Sequence, residues 1–269
     1  MSSGRNSRLH ATAFLRATRL AVFSFAALAF ASEGSGPDPE DLSKWVEMSV
    51  EQNADYWQRA NWSSDEWVVY LREGRPSVRA QKRSEDDRGK LPFAVAKGFR
   101  NVHVAKVADG WIVASNYGEF GAELWWFSPE GKSRYQISRE HVRGFLQNDR
   151  ELFALEGLAH KGIDRGQVLR IVRGSNGKWR SERVVDLGSE PGAATRDKDG
   201  SLIIVTNTRL VRVRVGKPVE TLLDNVFWDG LYPNSIVVDS SGTVYIGMRK
   251  GVAKATLKGT KTLSWLVPK

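Results

Sequence analysis

Carboxylates, histidines and aromatic side chains gather in the segments that separate the short apolar runs of this chain. Such residues could bind a carbohydrate or a peptide, because aromatic rings stack on apolar surfaces and carboxylates accept hydrogen bonds. Glu119 and Glu156 could also hydrolyse a glycosidic bond if their carboxyl groups lay about 5 to 10 Å apart. Nine residues are candidates for a ligand-binding site: Asn116, Tyr117, Glu119, Glu156, His160, Trp228, Asp229, Tyr232 and Asn234.

The familiar motifs of catalysis and metal binding are incomplete in this sequence. Gly131-Lys132-Ser133 lacks the first glycine of a phosphate-binding loop, and Asp197–Gly200 lacks the flanking acids of a calcium loop. We therefore assign no catalytic residue and expect no cofactor. A divalent cation such as calcium has no motif to support it, although Glu119, Asp229 and Asn234 could supply oxygen ligands for a lactonase-type site.

The elements that must position these residues are short strands, each introduced by a tight polar turn. Asp199-Gly200 precedes Ser201–Val205, and Ser241-Gly242 precedes Thr243–Ile246. Glycine favours such hairpin turns because they require a positive φ. The unit recurs at intervals of about 40 to 50 residues, which is the length of a four-stranded propeller blade.

Four long segments can be superposed as units of this kind: Val102–Ile137, Val142–Leu187, Ala193–Leu223 and Ser235–Leu266. A degenerate first unit begins at Trp67. The predicted fold class is therefore all-β, a β-propeller of five four-stranded blades. A six-bladed ring and an irregular β-sandwich are the alternatives, because the second long unit lacks the turn glycine.

The segment Asn234–Gly247 contains a D-x-x-G-x-h-Y-h-G core, in which h is an apolar residue. It resembles the propeller repeats of the NHL and two-component-regulator type found in exported bacterial proteins. The resemblance is clear only over the last two units. It implies the fold alone, since such propellers serve as lactonases, sensors and scaffolds.

The segment Lys44–Glu51 fits two local structures. Apolar and polar residues alternate from Val46 to Val50, which is typical of a strand. An apolar helical face over Asp41–Gln58 supports a helix instead. If the segment is a strand, we expect it to pair with Thr262–Val267 and cover an exposed sheet edge.

Propeller geometry predicts that the candidate residues share one face. In each blade the loop between the second and third strands, and the connection to the next blade, open on the same side of the central channel. The leading hypothesis is that this channel face binds a protein, a glycan or a small molecule. The alternative is a hydrolase or lyase that acts on a carbohydrate or a lactone with the carboxylates of that face.

The N-terminus predicts export. Four arginines between Arg5 and Arg19 precede the apolar run Leu20–Ala31, which ends in the cleavage pattern Ala29-Phe30-Ala31. The run is shorter than the roughly 20 residues that span a membrane. A retained membrane anchor is the alternative. The predicted organisation is a signal peptide over 1–31, a flexible linker over 32–40 and a propeller over 41–269.

Export places the predicted protein in the periplasm or outside the cell. The net charge is +9, but the basic residues are interspersed with 31 acidic residues. No basic block therefore indicates a nucleic-acid partner. We expect a protein or glycan partner in the cell envelope, a monomeric protein and no transmembrane span after cleavage.

Overall fold

The computed structural model describes residues 40–49, 54–82, 86–224, 226–228 and 230–269. All of them belong to one compact unit, Gly36–Lys269. The predicted signal peptide, and the predicted linker apart from Glu40, lie outside the described residues. In the described part, no helix has both the length and the apolar character needed to cross a membrane.

Twenty strands in the described residues form five antiparallel sheets, which we call blades 1 to 5 in chain order. The chain begins with β1 (Glu40–Asp41), β2 (Val46–Met48), helix α1 (Ala54–Asn61), β3 (Asp65–Arg72) and β4 (Arg75–Lys82). Blade 1 contains three of these strands in the order β1-β4-β3.

The other blades follow the chain closely. Blade 2 consists of β5 (His103–Val107), β6 (Gly110–Asn116), β7 (Ala122–Phe127) and β8 (Arg134–Ser138). Blade 3 consists of β9 (Val142–Gln147), β10 (Leu152–His160), β11 (Ile163–Arg173) and β12 (Trp179–Asp186). Blade 4 consists of β13 (Pro191–Arg196), β14 (Leu202–Thr206), β15 (Leu210–Val213) and β16 (Glu220–Leu223). Blade 5 consists of β17 (Ser235–Val238), β18 (Thr243–Met248), β19 (Gly251–Thr256), β20 (Thr262–Val267) and, at its outer edge, β2.

These sheets form a five-bladed β-propeller, as the sequence predicts. Consecutive blades touch through their first strands, since β5 packs on β9, β9 on β13 and β13 on β17. Blade 1 joins the ring through β3, which packs on β17, β18 and β19. A six-bladed ring and an irregular sandwich are thereby excluded for the described residues.

The predicted turns shape blades 4 and 5. In blade 5 the backbone N–H of Gly242 donates to the carbonyl of Asp239 at 3.1 Å. The Asp239 side chain also accepts from the N–H groups of Ser241 and Thr243. Gly242 has a φ of +87°, a conformation that a side chain would strain. The D-x-x-G pattern therefore marks the hairpin between the first and second strands of the blade.

The N-terminal segment contributes to two blades. Val46 pairs with Val267, so the strand interpretation and the predicted pairing partner are both confirmed. A continuous helix over Asp41–Gln58 is excluded, because only a short 3₁₀ turn, Leu42–Lys44, precedes β2, and α1 begins at Ala54. Glu40 pairs with Val78 in blade 1. The segment thus covers an edge of the first blade and an edge of the last.

The core lies between the blades, and the second strands of blades 2, 3 and 4 are buried on both of their faces. In β10, Leu152 and Ala154 pack against blade 2, whereas Phe153 and Leu155 pack against blade 4. Successive residues of a strand point to opposite faces of a sheet. A strand with a neighbouring blade on each side therefore reads as a continuous apolar run rather than an alternating one.

The ring closes where Gly247 of β18 meets β3, and this contact leaves no room for a side chain. A Cβ at position 247 would lie 2.3 Å from the carbonyl oxygen of Trp67. We expect Gly247→Ala to force blades 1 and 5 apart and to lower the free energy of unfolding by about 1–3 kcal/mol. Urea unfolding followed by tryptophan fluorescence measures this change.

Gly98→Ala is the matched control, because a Cβ at position 98 meets no atom within 4 Å. An equal change in both variants would contradict the close contact at the closure.

Candidate ligand-binding site on the channel face

The channel face consists of the loops between the second and third strands of each blade and of the connections between blades. These segments meet at one end of the sheets because neighbouring strands are antiparallel. The loops are 117–121, 161–162, 207–209 and 249–250. The connections are 139–141, 187–190 and the described part of 224–234.

A cavity of about 470 Å³ occupies the channel end that opens on this face. It is lined by residues at the starts of the first strands, such as His103, Arg143, Ala193 and Ser235. Arg143 Nε lies 3.3 Å from Glu190 Oε1, so an ion pair stands at the mouth of the channel. The channel is therefore polar and charged at this end.

His103 projects into this cavity from β5. Burial lowers the pKa of its imidazole, and the nearby Arg143 cation lowers it further. The carboxylates of Asp87 and Asp86 act in the opposite direction, while Lys90 adds to the lowering. His103 is a strand residue on the channel wall, and it does not belong to the predicted ligand set.

Glu156 is the most deeply placed carboxylate of the candidate set, with 1% of its surface exposed. Arg165 donates a hydrogen bond of 2.6 Å from Nη1 to its Oε1. The other carboxylate oxygen is buried and has no hydrogen-bond partner. Arg165 lies diagonally across the β10–β11 hairpin from Glu156, because Glu156 pairs with Gln167 and Leu158 pairs with Arg165.

His141 completes this group from the connection between blades 2 and 3. Its Nε2 lies 3.0 Å from the carbonyl oxygen of Gly118, and its Nδ1 lies 3.2 Å from Arg165 Nη2. A carbonyl accepts and a guanidinium donates, so these partners favour the tautomer that carries its proton at Nε2. Both ring nitrogens then have a hydrogen-bond partner. His141 therefore positions Arg165, and neither nitrogen is available to act as a base.

Glu119 and His160 form a second contact between blades 2 and 3. Glu119 lies in the 3₁₀ turn Gly118–Phe120, and His160 ends β10. His160 Nε2 contacts Glu119 Oε2, and Lys161 Nζ lies 3.8 Å from the same oxygen. These side chains are partly exposed, so the pair can be reached from solvent.

Asn116 and Tyr117 shape the loop that carries Glu119. Asn116 is buried, and its Oδ1 accepts a hydrogen bond of 2.9 Å from the N–H of Gly118. The Tyr117 hydroxyl donates to Glu123 Oε2 at 3.5 Å. The two residues therefore hold the loop in place, and they bring Glu119 to the boundary between blades 2 and 3.

The remaining candidates are divided between the core and the surface. Trp228 is fully buried, and its indole N–H donates to the carbonyl of Thr206 at 2.8 Å. This is a core position, so we remove Trp228 from the ligand set. Asp229 lies outside the described residues. Tyr232 is 47% exposed on the channel face.

Asn234 precedes β17 at the wall of the channel. Its backbone N–H donates to the carbonyl of Gly247, and its Oδ1 accepts from the Ser235 hydroxyl at 2.8 Å. Its amide nitrogen is buried and has no hydrogen-bond partner. Asn234 thus remains a candidate for contact with a ligand in the channel.

Arg249 is a buried cation that the sequence analysis did not identify. Its guanidinium carbon lies 3.7 Å from the centroid of the Tyr232 ring, and its Nη1 donates to the carbonyl of Asn61. Its Nε lies 3.5 Å from Glu66 Oε1. Arg249 therefore connects the 249–250 loop with blade 1 and supports the exposed tyrosine.

The candidate residues consequently form two groups rather than one. Asn116, Glu119, Glu156 and His160 meet between blades 2 and 3, whereas Tyr232 and Asn234 lie on the connection into blade 5. In the described residues, no group of three or more histidine, aspartate or glutamate side chains could hold a metal ion. The carboxylates of the first group are paired instead with arginine, histidine and lysine.

Comparisons with known proteins do not assign this chain to a family. No protein-family model matches it, and no curated protein matches it. Among solved structures, the chain is similar to a catalytically inactive virginiamycin B lyase from Staphylococcus aureus with quinupristin. That match has 14% identity and a TM-score of 0.39, and it covers 60% of this chain and 54% of the lyase.

Two further structures are similar at the same level. The extracellular domain of a putative hybrid two-component system from B. thetaiotaomicron has 12% identity and a TM-score of 0.42, over 66% of this chain and 23% of that chain. YCF48 bound to D1 peptide has 10% identity and a TM-score of 0.42, over 76% and 64%. At TM-scores below 0.5, the assignment of the fold rests on the sheet topology described above.

The buried carboxylate of Glu156 depends on Arg165 for its charge balance. Arg165→Gln would leave that charge buried without its partner, and we expect it to lower the free energy of unfolding by about 1–3 kcal/mol. The solvent exposure of Arg165 keeps the loss below that of a fully buried pair. Urea unfolding of the single variants and of the Glu156→Gln/Arg165→Gln double variant measures the coupling.

We expect the double variant to recover part of the stability lost in Arg165→Gln, because it no longer buries a charge. If the double variant lost as much stability as the two single variants together, that result would contradict this coupling.

The channel histidine predicts a pH dependence of stability. The pKa of His103 is lower in the folded chain than in the unfolded chain. Below about pH 6.5, the ordinary pKa of histidine, the unfolded chain therefore binds more protons than the folded chain. The stability present above that pH is therefore lost as the pH falls through the folded-state pKa. We expect His103→Asn to show a smaller drop in melting temperature between pH 7.5 and pH 5.5 than the wild type.

Equal drops in the two proteins would show that His103 does not contribute to acid sensitivity. The acidic residues common to both proteins supply the background against which the difference is measured.

Proposed function

We propose that this protein is an exported β-propeller that binds a partner protein of the cell envelope through its channel face. The observation that carries the proposal is the distribution of exposed apolar side chains. Seven large hydrophobic residues are exposed in the described part of the chain, and the three aromatic ones among them lie in the loops of this face or next to a residue that contacts one: Trp62, Phe120 and Tyr232.

The positions of these side chains follow from their elements. Trp62 follows α1 and adjoins Asn61, which contacts Arg249 of the 249–250 loop. Phe120 ends the turn that carries Glu119, and Tyr232 lies on the connection into blade 5. Ile163, at the start of β11, is 52% exposed on the same face.

The degree of exposure is high for such residues. Trp62 and Phe120 are each 85% exposed. Aromatic side chains supply most of the binding energy in many protein interfaces, and charged groups at the rim set orientation and association rate. The Arg143–Glu190 pair and the Glu119–His160 pair supply such a rim here.

The alternative function, a hydrolase or lyase, would use the carboxylates of this face. Glu156 is buried and paired with Arg165, so it presents no carboxyl group to a glycosidic bond. Glu119 and His160 are the accessible acid and base. We propose these two residues as partner-contacting groups, because both are partly exposed and Glu119 adjoins Phe120, an aromatic side chain that is 85% exposed.

A comparison of variants tests the partner-binding proposal. Wild-type protein and a Trp62→Ser/Phe120→Ser variant, each with a photocrosslinking residue at the same exposed channel-face position, are exposed to envelope extract. We expect the specific crosslinked partner to bind the variant at least about tenfold more weakly, as for the loss of interface hot spots. Quantitative mass spectrometry identifies the partner, and titration of the purified partner measures the affinity.

Leu71→Ser/Val215→Ser is the matched control, because it removes two exposed apolar side chains outside the channel face. Both double variants change exposed positions, so we expect their melting temperatures to stay close to that of the wild type. Equal loss of the partner in both variants, or retention in both, would overturn the proposal. If the protein bound a purified glycan and no protein partner, the proposal of a protein partner would be wrong and the ligand of this face would be a glycan.

A further inference from the structure

A second cavity lies on the opposite face of the propeller, between blades 4 and 5. Its volume is about 410 Å³, which is within the range of small-molecule sites. It lies beside the 197–201 and 239–242 turns, which join the first and second strands of these blades. Its other wall includes Leu257 and Lys258, which follow the third strand of blade 5. The cavity is therefore separate from the channel face.

The inner wall of this cavity is apolar. Ile203, Leu222 and Val244 are almost completely buried in the core and line the cavity. Val238 and Leu257 are half-buried and complete this wall. A ligand that fills the cavity would therefore place a hydrocarbon part against the space between the two blades.

Three of the four carboxylates at the cavity form ion pairs with Arg212 or Arg214. Asp197 Oδ2 lies 3.1 Å from Arg212, and Glu220 lies 2.9 Å from Arg214. Hydrogen bonds from Ser201 hold the pKa of Asp199 below its ordinary value, and its carboxylate also pairs with Arg214 at 3.1 Å.

Asp239, the remaining carboxylate of the cavity, is occupied by its own turn. It accepts hydrogen bonds from the backbone N–H groups of Ser241 and Thr243 and from the Ser241 hydroxyl. These donors stabilise the carboxylate locally, as in other Asx turns.

Three lysines at the cavity have no such compensation. Within the part of the chain that the structure describes, Lys198, Lys258 and Lys261 form no ion pair with a carboxylate. Lys198 Nζ donates to the carbonyl of Ser240 at 3.2 Å, and Lys261 Nζ donates to the carbonyl of Leu222 at 2.7 Å. Their positive charges are therefore available to a ligand.

We propose that this cavity binds an amphipathic organic anion, a carboxylate attached to a hydrocarbon chain of medium length. The hydrocarbon chain lies against Val238 and Leu257, which cover the buried Ile203, Leu222 and Val244. The carboxylate lies at the rim, where the ammonium groups of Lys258 and Lys261 donate charge-assisted hydrogen bonds. The site is independent of the partner-binding face, so it stands or falls separately from the function proposed there.

Isothermal titration calorimetry of the full chain with octanoate tests this proposal. We expect one octanoate per chain, with perturbed NMR signals from the methyl groups of Val238 and Leu257. Lys258→Glu/Lys261→Glu should weaken binding at least about tenfold, because a charged hydrogen-bond partner is replaced by a like charge. Both lysines are exposed, so circular dichroism should show an unchanged fold.

Lys217→Glu is the matched control, because this exposed lysine lies in the turn between β15 and β16 but outside the cavity. We expect it to retain octanoate binding within about twofold, since distant surface charges are largely screened. An equal loss in this control would overturn the proposal, as would the absence of octanoate binding to the wild type.

Two probes separate the charge from the hydrocarbon chain. Octyltrimethylammonium carries the same chain with the opposite charge, and inorganic phosphate carries negative charge without a chain. We expect neither to bind at the concentrations that saturate with octanoate. Equal binding of either one would refute a site that requires both an anionic head and an apolar body.

Discussion

The contact between blades 1 and 5 is the constraint on which the ring depends. Consecutive blades are joined by chain connections, whereas β3 of blade 1 and the strands β17 to β19 of blade 5 must meet across most of the sequence. Their contact is close, because Val69 N–H donates to the Ser235 hydroxyl at 2.8 Å and Gly247 faces the carbonyl of Trp67. Long-range contacts of this kind carry a large loop-closure cost, which packing must offset.

The N-terminal segment reduces the exposure that such a closure would otherwise leave. β2 pairs with β20 at the outer edge of blade 5, and β1 pairs with β4 in blade 1. The two short strands flank Trp45, whose ring meets that of Trp67 edge-on at 4.8 Å. One segment therefore bridges both blades and covers strand edges that could pair with other chains.

The closure also builds part of the channel face. Arg249 lies at the junction of blades 1 and 5, where it contacts Asn61, Glu66 and Tyr232. Its side chain is buried and charged, so its orientation depends on the partners that the closed ring supplies. The position of the exposed Tyr232 ring is consequently linked to the same contact that closes the ring.

Sequence patterns predicted the fold better than they predicted the site. The turn-and-strand pattern located the strands of blades 4 and 5, because a local D-x-x-G turn determines each hairpin. Side-chain burial depends instead on the neighbouring blade. The sequence alone could not show that Trp228 is buried while Phe120 is exposed, or that His141 and Arg165 surround Glu156.

The two faces of the propeller differ because their connections differ in kind. Tight glycine turns join the first and second strands in blades 4 and 5, so they leave a small cavity bordered by Asp197–Gly200 and Asp239–Gly242. The channel face collects longer connections, such as 224–234, and these can carry exposed aromatic side chains away from the core. A small ligand suits the first geometry and a macromolecular surface suits the second. The two proposed sites therefore differ in chemistry although they share one core.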